Sequence, residues 1–190
     1  MAELSPTPGQ TIGPFYGYAL PFDRDNELVP PAHPDAIRLY GTVFDGSGQP
    51  VPDALIEIRQ AGQDGRIPLV DGSLRRDGLA FTGWGRAAVN AAGEYSFTTV
   101  LPGLTEAGKA PFFSIVVFAR GLLDRLFTRA YPPDHEAVFA SDPLLARLVP
   151  DERKRLVAER TGENALRFDI HLQGERESVF LHFPEPGATT

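Results

Sequence analysis

The longest apolar run of the chain, PFFSIVVFARG from Pro111 to Gly121, constrains the fold more than any other stretch. Phe112, Phe113, Ile115, Val116, Val117 and Phe118 are β-branched or aromatic with almost no alternation, the pattern of a central strand covered on both faces. The run is too short to cross a bilayer. Around it, 19 glycines and 18 prolines punctuate 190 residues. They divide the chain into short pieces and exclude coiled coils and helical bundles. The length suits one domain with one sizeable core.

Taken in order, residues 1–36 read as an extended arm. Its SPTPGQTIGPFYGYALPF carries Phe15, Tyr16, Tyr18 and Phe22 without a period of 2 or 3.6. Those rings need a surface to lie on, supplied by the domain or by a partner. IRLYGTVF alternates, with Ile37, Leu39 and Val43 on one face and Arg38, Tyr40 and Thr42 on the other, and predicts a half-buried strand. DGSGQPVP turns the chain, with Gly46 and Gly48 available for positive φ. ALIEIRQ sets Ala54, Ile56 and Ile58 opposite Leu55, Glu57 and Arg59. Residues 61–93 form a glycine-rich irregular excursion that holds the only tryptophan, Trp84. EYSFTT then places Tyr95 and Phe97 inward, and RLFTRAY alternates Leu126, Thr128 and Ala130 against Phe127, Arg129 and Tyr131.

Helices are expected only in an insertion near 141–160: SDPLLARLV, capped by Ser141 or Asp142, and PDERKRLVAER, with acids early and bases late. LRFDIHL and SVFLHF are two further strands, and 184–190 is a frayed tail. The sum is an all-β sandwich of seven or eight short antiparallel strands over 37–183.

A net charge of −7 argues against a broad electrostatic grip on nucleic acid or an anionic membrane. The chain has no cysteine, so disulfides and thiolate metal sites are excluded. MAELSPTPGQ lacks the basic and apolar regions of a secretory signal, and the expected location is the cytoplasm.

Four histidines, His33, His135, His171 and His182, are spaced too widely for a local metal pair. His171 shares a strand face with Asp169, either as an exposed surface pair or as a base or metal site. His33 lies between prolines in a loop, as a solvated residue would. Ser114 lacks a Gly-x-Ser-x-Gly elbow and reads as a core hydroxyl rather than a nucleophile. Nucleotide-binding glycine loops are absent. Arg120, at the end of the apolar run, is either solvated at a sheet edge or aimed into a pocket to hold a carboxylate bidentately.

QTIGPFY, the turn in IRLYGTVFDGSGQPVPDALIEIRQA, GWGR, GEYSFTTVLPG, PFFSIVVFARG and ALRFDIHLQGERESVFLHF together resemble the intradiol ring-cleavage dioxygenases over nearly the whole chain. The resemblance implies ferric iron held by two tyrosines and two histidines in catalytic members. Here Phe112 and Ser114 stand at the histidine positions, residues 66–82 contain no tyrosine, and the loop after VLPG reads LTEAGKAP. It therefore implies a chain that holds no iron and contributes no catalytic residue, in an obligate hetero-oligomer whose partner β chain carries the Fe(III). The implied reaction is cleavage of 3,4-dihydroxybenzoate by O₂ to 3-carboxy-cis,cis-muconate in aromatic catabolism. Thr11, Gly13, Pro14, Phe15 and Tyr16 would wall the partner's active site, and Arg120 would bind the substrate carboxylate. The alternative is a transthyretin-like structural or binding module, since the G-x-V-x-D-x-x-G-x-P turn is shared with such sandwiches.

Overall fold

The computed structural model describes residues 13, 15–69 and 80–183. Among them nine strands form two sheets: β1 (Ile37–Phe44), β2 (Leu55–Arg59), β3 (Trp84–Ala88), β4 (Glu94–Thr99), β5 (Phe113–Phe118), β6 (Leu126–Ala130), β7 (Glu159–Gly162), β8 (Ala165–Arg167) and β9 (Ile170–His171). One sheet runs β4-β1-β8-β7 with β9 also beside β1, and the other runs β3-β2-β5-β6. Their facing sides bury Leu39, Val43, Phe97, Leu166 and Ile170 against Ile56, Ile58, Phe113, Ile115 and Val117. The expected sandwich is present. It is not purely antiparallel, because β8 and β9 both pair with β1 in parallel.

β5 is an interior strand, paired with β2 and β6, yet it is not covered on both faces. Phe113, Ile115 and Val117 are fully buried, whereas Ser114, Val116 and Phe118 are only partly covered. The apolar run hid an alternation, because its outward residues are also large and apolar. β1 and β4 match the expected alternation closely. Of the two glycines in the first turn, Gly48 takes positive φ (80°) and Gly46 does not. Asp45 accepts hydrogen bonds from the Ser47 hydroxyl and the Ser47 and Gln49 N–H groups, and these hold its carboxyl below the usual range.

Four expected elements need correction. The excursion over 61–93 contains β3, which completes the second sheet; the WGRAA sequence is too short and small-residue-rich to register as a strand by pattern. The expected helices shrink to one 3₁₀ turn at Leu145–Arg147 and a short helix at Pro150–Lys154, with another 3₁₀ segment at Pro133–Val138. Beyond Lys154 the chain extends, because Leu156 and Ala158 are buried and exchange backbone hydrogen bonds with Tyr131 before β7 begins. Burial and pairing override helix propensity there. Of the two candidate caps, Asp142 serves, accepting from the Leu144 and Leu145 N–H groups at 3.0 Å each. SVFLHF forms no regular strand, although Leu181 donates to the Phe127 carbonyl at 2.8 Å. Residues 184–190 lie outside the described residues. Among the described residues no helix is long and apolar enough to cross a membrane.

LRFDIHL is likewise split, into β8 and β9. At the break the Tyr95 hydroxyl donates to the Phe168 carbonyl at 2.5 Å, and Asp169 accepts from the Thr42 N–H at 2.9 Å. A Cβ on Gly41 would overlap that same Phe168 carbonyl oxygen. Replacing Gly41 by Ala is expected to destabilise the fold by about 1–3 kcal/mol through forced backbone shift. Urea unfolding checks this, and an unchanged midpoint would refute the close approach.

Candidate functional site

Four of the sequence-predicted site residues meet the outer side of the β3-β2-β5-β6 sheet, Tyr16 and Arg120 at one end of β5 and Phe112 and Ser114 at the other. At the first end, a single helical turn, α1 (Tyr16–Ala19), lies against the sheet. Tyr16 is 8% exposed, its ring centroid 6.2 Å from that of Phe118, and its hydroxyl donates to the Asp53 carbonyl at 2.7 Å. Further on, Arg86 donates to the Leu20 carbonyl at 2.7 Å, and Phe22 stacks on Trp84 with rings 6° from parallel. The segment thus crosses the sheet from β5 to β3. Leu55, an outward residue of β2, is consequently buried. Burial, with the Asp53 carboxylate, pushes the Tyr16 phenol up to about 12, against the opposing pull of Arg120.

Phe15 and Tyr18 face the other way, 76% and 85% exposed, and Gly13 is exposed as well. Thr11 and Pro14 lie outside the described residues. Arg120 follows β5 where Gly121, at φ +92°, turns the chain. Its Nε stands 3.1 Å from Asp53 Oδ2 while the side chain stays 64% exposed. Because Asp53 engages Nε, the outer edge formed by the two Nη groups remains available for a bidentate carboxylate contact. Beside it opens a cavity of about 640 Å³ lined by Asp53, Arg120, Leu122, Leu172, Phe180 and His182. The structure therefore brings Tyr16, Asp53 and Arg120 together from three distant segments. Asp53, which orients the guanidinium from a proline-flanked turn, carried no sequence signal that distinguished it from an ordinary loop acid.

At the other end of β5, Phe112 and Ser114 border a cavity of about 220 Å³ together with Arg59 and Arg129. Register explains the grouping: Ser114 pairs with Arg59 of β2 on one side and Arg129 of β6 on the other, so the three side chains share the outer face. Ser114 is thus a half-covered residue bordering a cavity, not a core hydroxyl. Phe112 has no donor atom, and Ser114 sits between two guanidinium groups that repel a cation. The residues at these positions do not fit ferric iron. Among the described residues no three His, Cys, Asp or Glu side chains converge as a metal-binding group.

The remaining candidates stand apart. Asp169 accepts from Arg167 rather than His171, while His171 stacks on Phe44 with centroids 4.9 Å apart. Burial and Arg176 push the His171 imidazole below its usual range, against Asp169. His33 Nδ1 accepts from the Asp35 N–H at 3.1 Å in its loop.

Comparison with known proteins bears on this geometry. A dioxygenase family model matches residues 12–149. The chain is similar to the protocatechuate 3,4-dioxygenase alpha chain of Burkholderia cepacia, 37% identical over 95% of this chain and 99% of that one. It is also similar to the beta chain from the same organism, 30% identical over 74% of this chain and 65% of that one. Among solved structures, the dioxygenase domain of a carbohydrate-binding protein fusion from Streptomyces sp. SirexAA-E superposes with a TM-score of 0.60 at 25% identity, covering 90% of this chain and 99% of that one.

Replacing Tyr16 by Phe, which removes the hydrogen bond to Asp53, is expected to cost about 1 kcal/mol, or roughly 2–4 °C in Tm. The wild type keeps Tyr16 protonated above the pH where an unfolded tyrosine ionises, near 10. The Tyr16 contribution is therefore full below pH 10 and lost between pH 10 and about 12, and the variant lacks this part of the alkaline decline. Superimposable pH–stability curves for the two proteins would contradict the assignment.

Proposed function

Because the chain belongs to the intradiol ring-cleavage dioxygenase family, we propose that it is the non-iron-binding alpha subunit of a heteromeric protocatechuate 3,4-dioxygenase. The assembly cleaves 3,4-dihydroxybenzoate with O₂ to 3-carboxy-cis,cis-muconate. The observation that carries this reading is Arg120: fixed by Asp53 on one edge and exposed on the other, within a chain similar to alpha chains over nearly its full length. In this reading Fe(III) belongs to the beta subunit and supplies the activation of the catecholate. The work of this chain is binding and orientation.

Residues 1–36 act as an arm on a sandwich spanning 37–183. Tyr16, buried against its own sheet, would support the wall from below, and the exposed Gly13 and Phe15 would wall the partner's cleft along with Thr11 and Pro14. An apolar wall excludes water and fixes the ring plane of the substrate. Tyr18, Leu20 and Phe183 are further exposed apolar side chains, suited to burial against a partner subunit. Arg120 takes the substrate carboxylate through its two Nη groups. A cysteine-free chain suits a reducing, cytoplasmic setting. The transthyretin-like alternative shares the sandwich turn, but nothing in the site favours it.

Arg120→Ala in the purified assembly is expected to raise KM for 3,4-dihydroxybenzoate about tenfold, the lower end for a charge-assisted contact because Arg120 is exposed and screened. The KM for catechol, which lacks the carboxylate, should change little. An equal rise for both substrates would assign Arg120 a structural role instead, and no rise for either would remove it from the site. Phe15→Ser is expected to lower kcat/KM for both substrates while iron content holds.

A further inference from the structure

The cavity at Phe112 and Ser114 is flanked by two cations, Arg59 and Arg129, and among the described residues neither guanidinium is paired with a carboxylate. Arg129 is held in place by neutral groups. Its guanidinium carbon lies 3.9 Å from the Phe112 ring centroid, and Nη1 donates to the Tyr131 hydroxyl at 3.1 Å. That hydroxyl stands 3.5 Å from the buried carboxylate of Asp142, and the Tyr131 ring is fully buried. Arg129 is thus oriented by a stacked ring and a buried phenol, with no carboxylate in direct contact with its guanidinium among the described residues.

The rest of the wall is mostly apolar, with Ala61, Ile67, Ala110, Pro111 and Phe112 outnumbering the polar Gln60 and Thr105. At about 220 Å³ the cavity is smaller than the roughly 300–1,000 Å³ of drug-sized ligand pockets. We propose that this cavity binds a small aromatic carboxylate, its anionic end between Arg59 and Arg129 at Ser114 and its single ring against Phe112, Pro111 and Ile67. The site is separate from Arg120, at the opposite end of β5, and does not depend on the alpha-subunit reading.

The test is equilibrium dialysis of radiolabelled benzoate against the full chain in the assembly from which it is purified, with iron counted on the same sample. Iron-centred sites would also take benzoate, so the prediction is an excess over iron of one saturable site per copy of this chain. That excess site should weaken about 10- to 100-fold in Arg129→Gln, the effect of removing a charge-assisted contact, and be substantially kept in Arg129→Lys. Arg59→Gln, a change at an exposed residue, is the second variant should Arg129→Gln fail to assemble, and it should weaken the same site. Neutral benzamide should bind it at least about tenfold more weakly than benzoate. Benzoate bound only in proportion to iron, or an excess unchanged in both glutamine variants, would overturn the proposal. Equal competition by inorganic phosphate would overturn its aromatic part.

Discussion

The register of β5 between β2 and β6 is the constraint on which the rest depends. Six residues alternate between two faces, and a slip of one residue would send Phe113, Ile115 and Val117 out of the core and Ser114 into it. The register is pinned by that burial on the inner side. On the outer side it fixes two rows of neighbours: Ala88, Leu55 and Phe118 at one end, and Trp84, Arg59, Ser114 and Arg129 at the other. Both candidate sites are consequences of this one pairing pattern, read on the face that does not make the core.

The N-terminal segment gives the two ends different characters. It covers the Phe118 end through Tyr16 and reaches the other row at Trp84 through Phe22, leaving Ser114 and Arg129 to a small cavity. Covering one end does more than bury Leu55. It sets Tyr16 against Asp53, the partner of the exposed Arg120, while Phe15, the neighbour of Tyr16 in the chain, stays exposed. In the proposed reading these exposed groups would serve a composite active site built with a partner.

Much of this could be read from residue pattern, and the exceptions have identifiable causes. Alternation located β1 and β4 because their outward residues are polar: Arg38, Tyr40 and Thr42 in one, Glu94, Ser96 and Thr98 in the other. The same rule failed for β5, where Val116 and Phe118 are outward yet apolar. It failed again for PDERKRLVAER, whose charge order suits a helix while Leu156 and Ala158 are claimed by the core and by Tyr131. Arg120 stood out because a lone cation ends an apolar run. Its partner Asp53, and the Arg59 and Arg129 pair, did not, because cross-strand neighbours are distant in sequence and only register brings them together.

The central claim is that this chain contributes orientation and walls to a dioxygenase without holding its metal. Native mass spectrometry of the purified assembly, with iron quantified for each separated subunit, tests it most directly. The claim predicts iron only with the second chain, in one-to-one ratio to it, and none with this chain whether expressed alone or together. Stoichiometric iron on this chain alone would contradict it and with it the reading of Phe112, Ser114, Arg59 and Arg129 as a site hostile to cations.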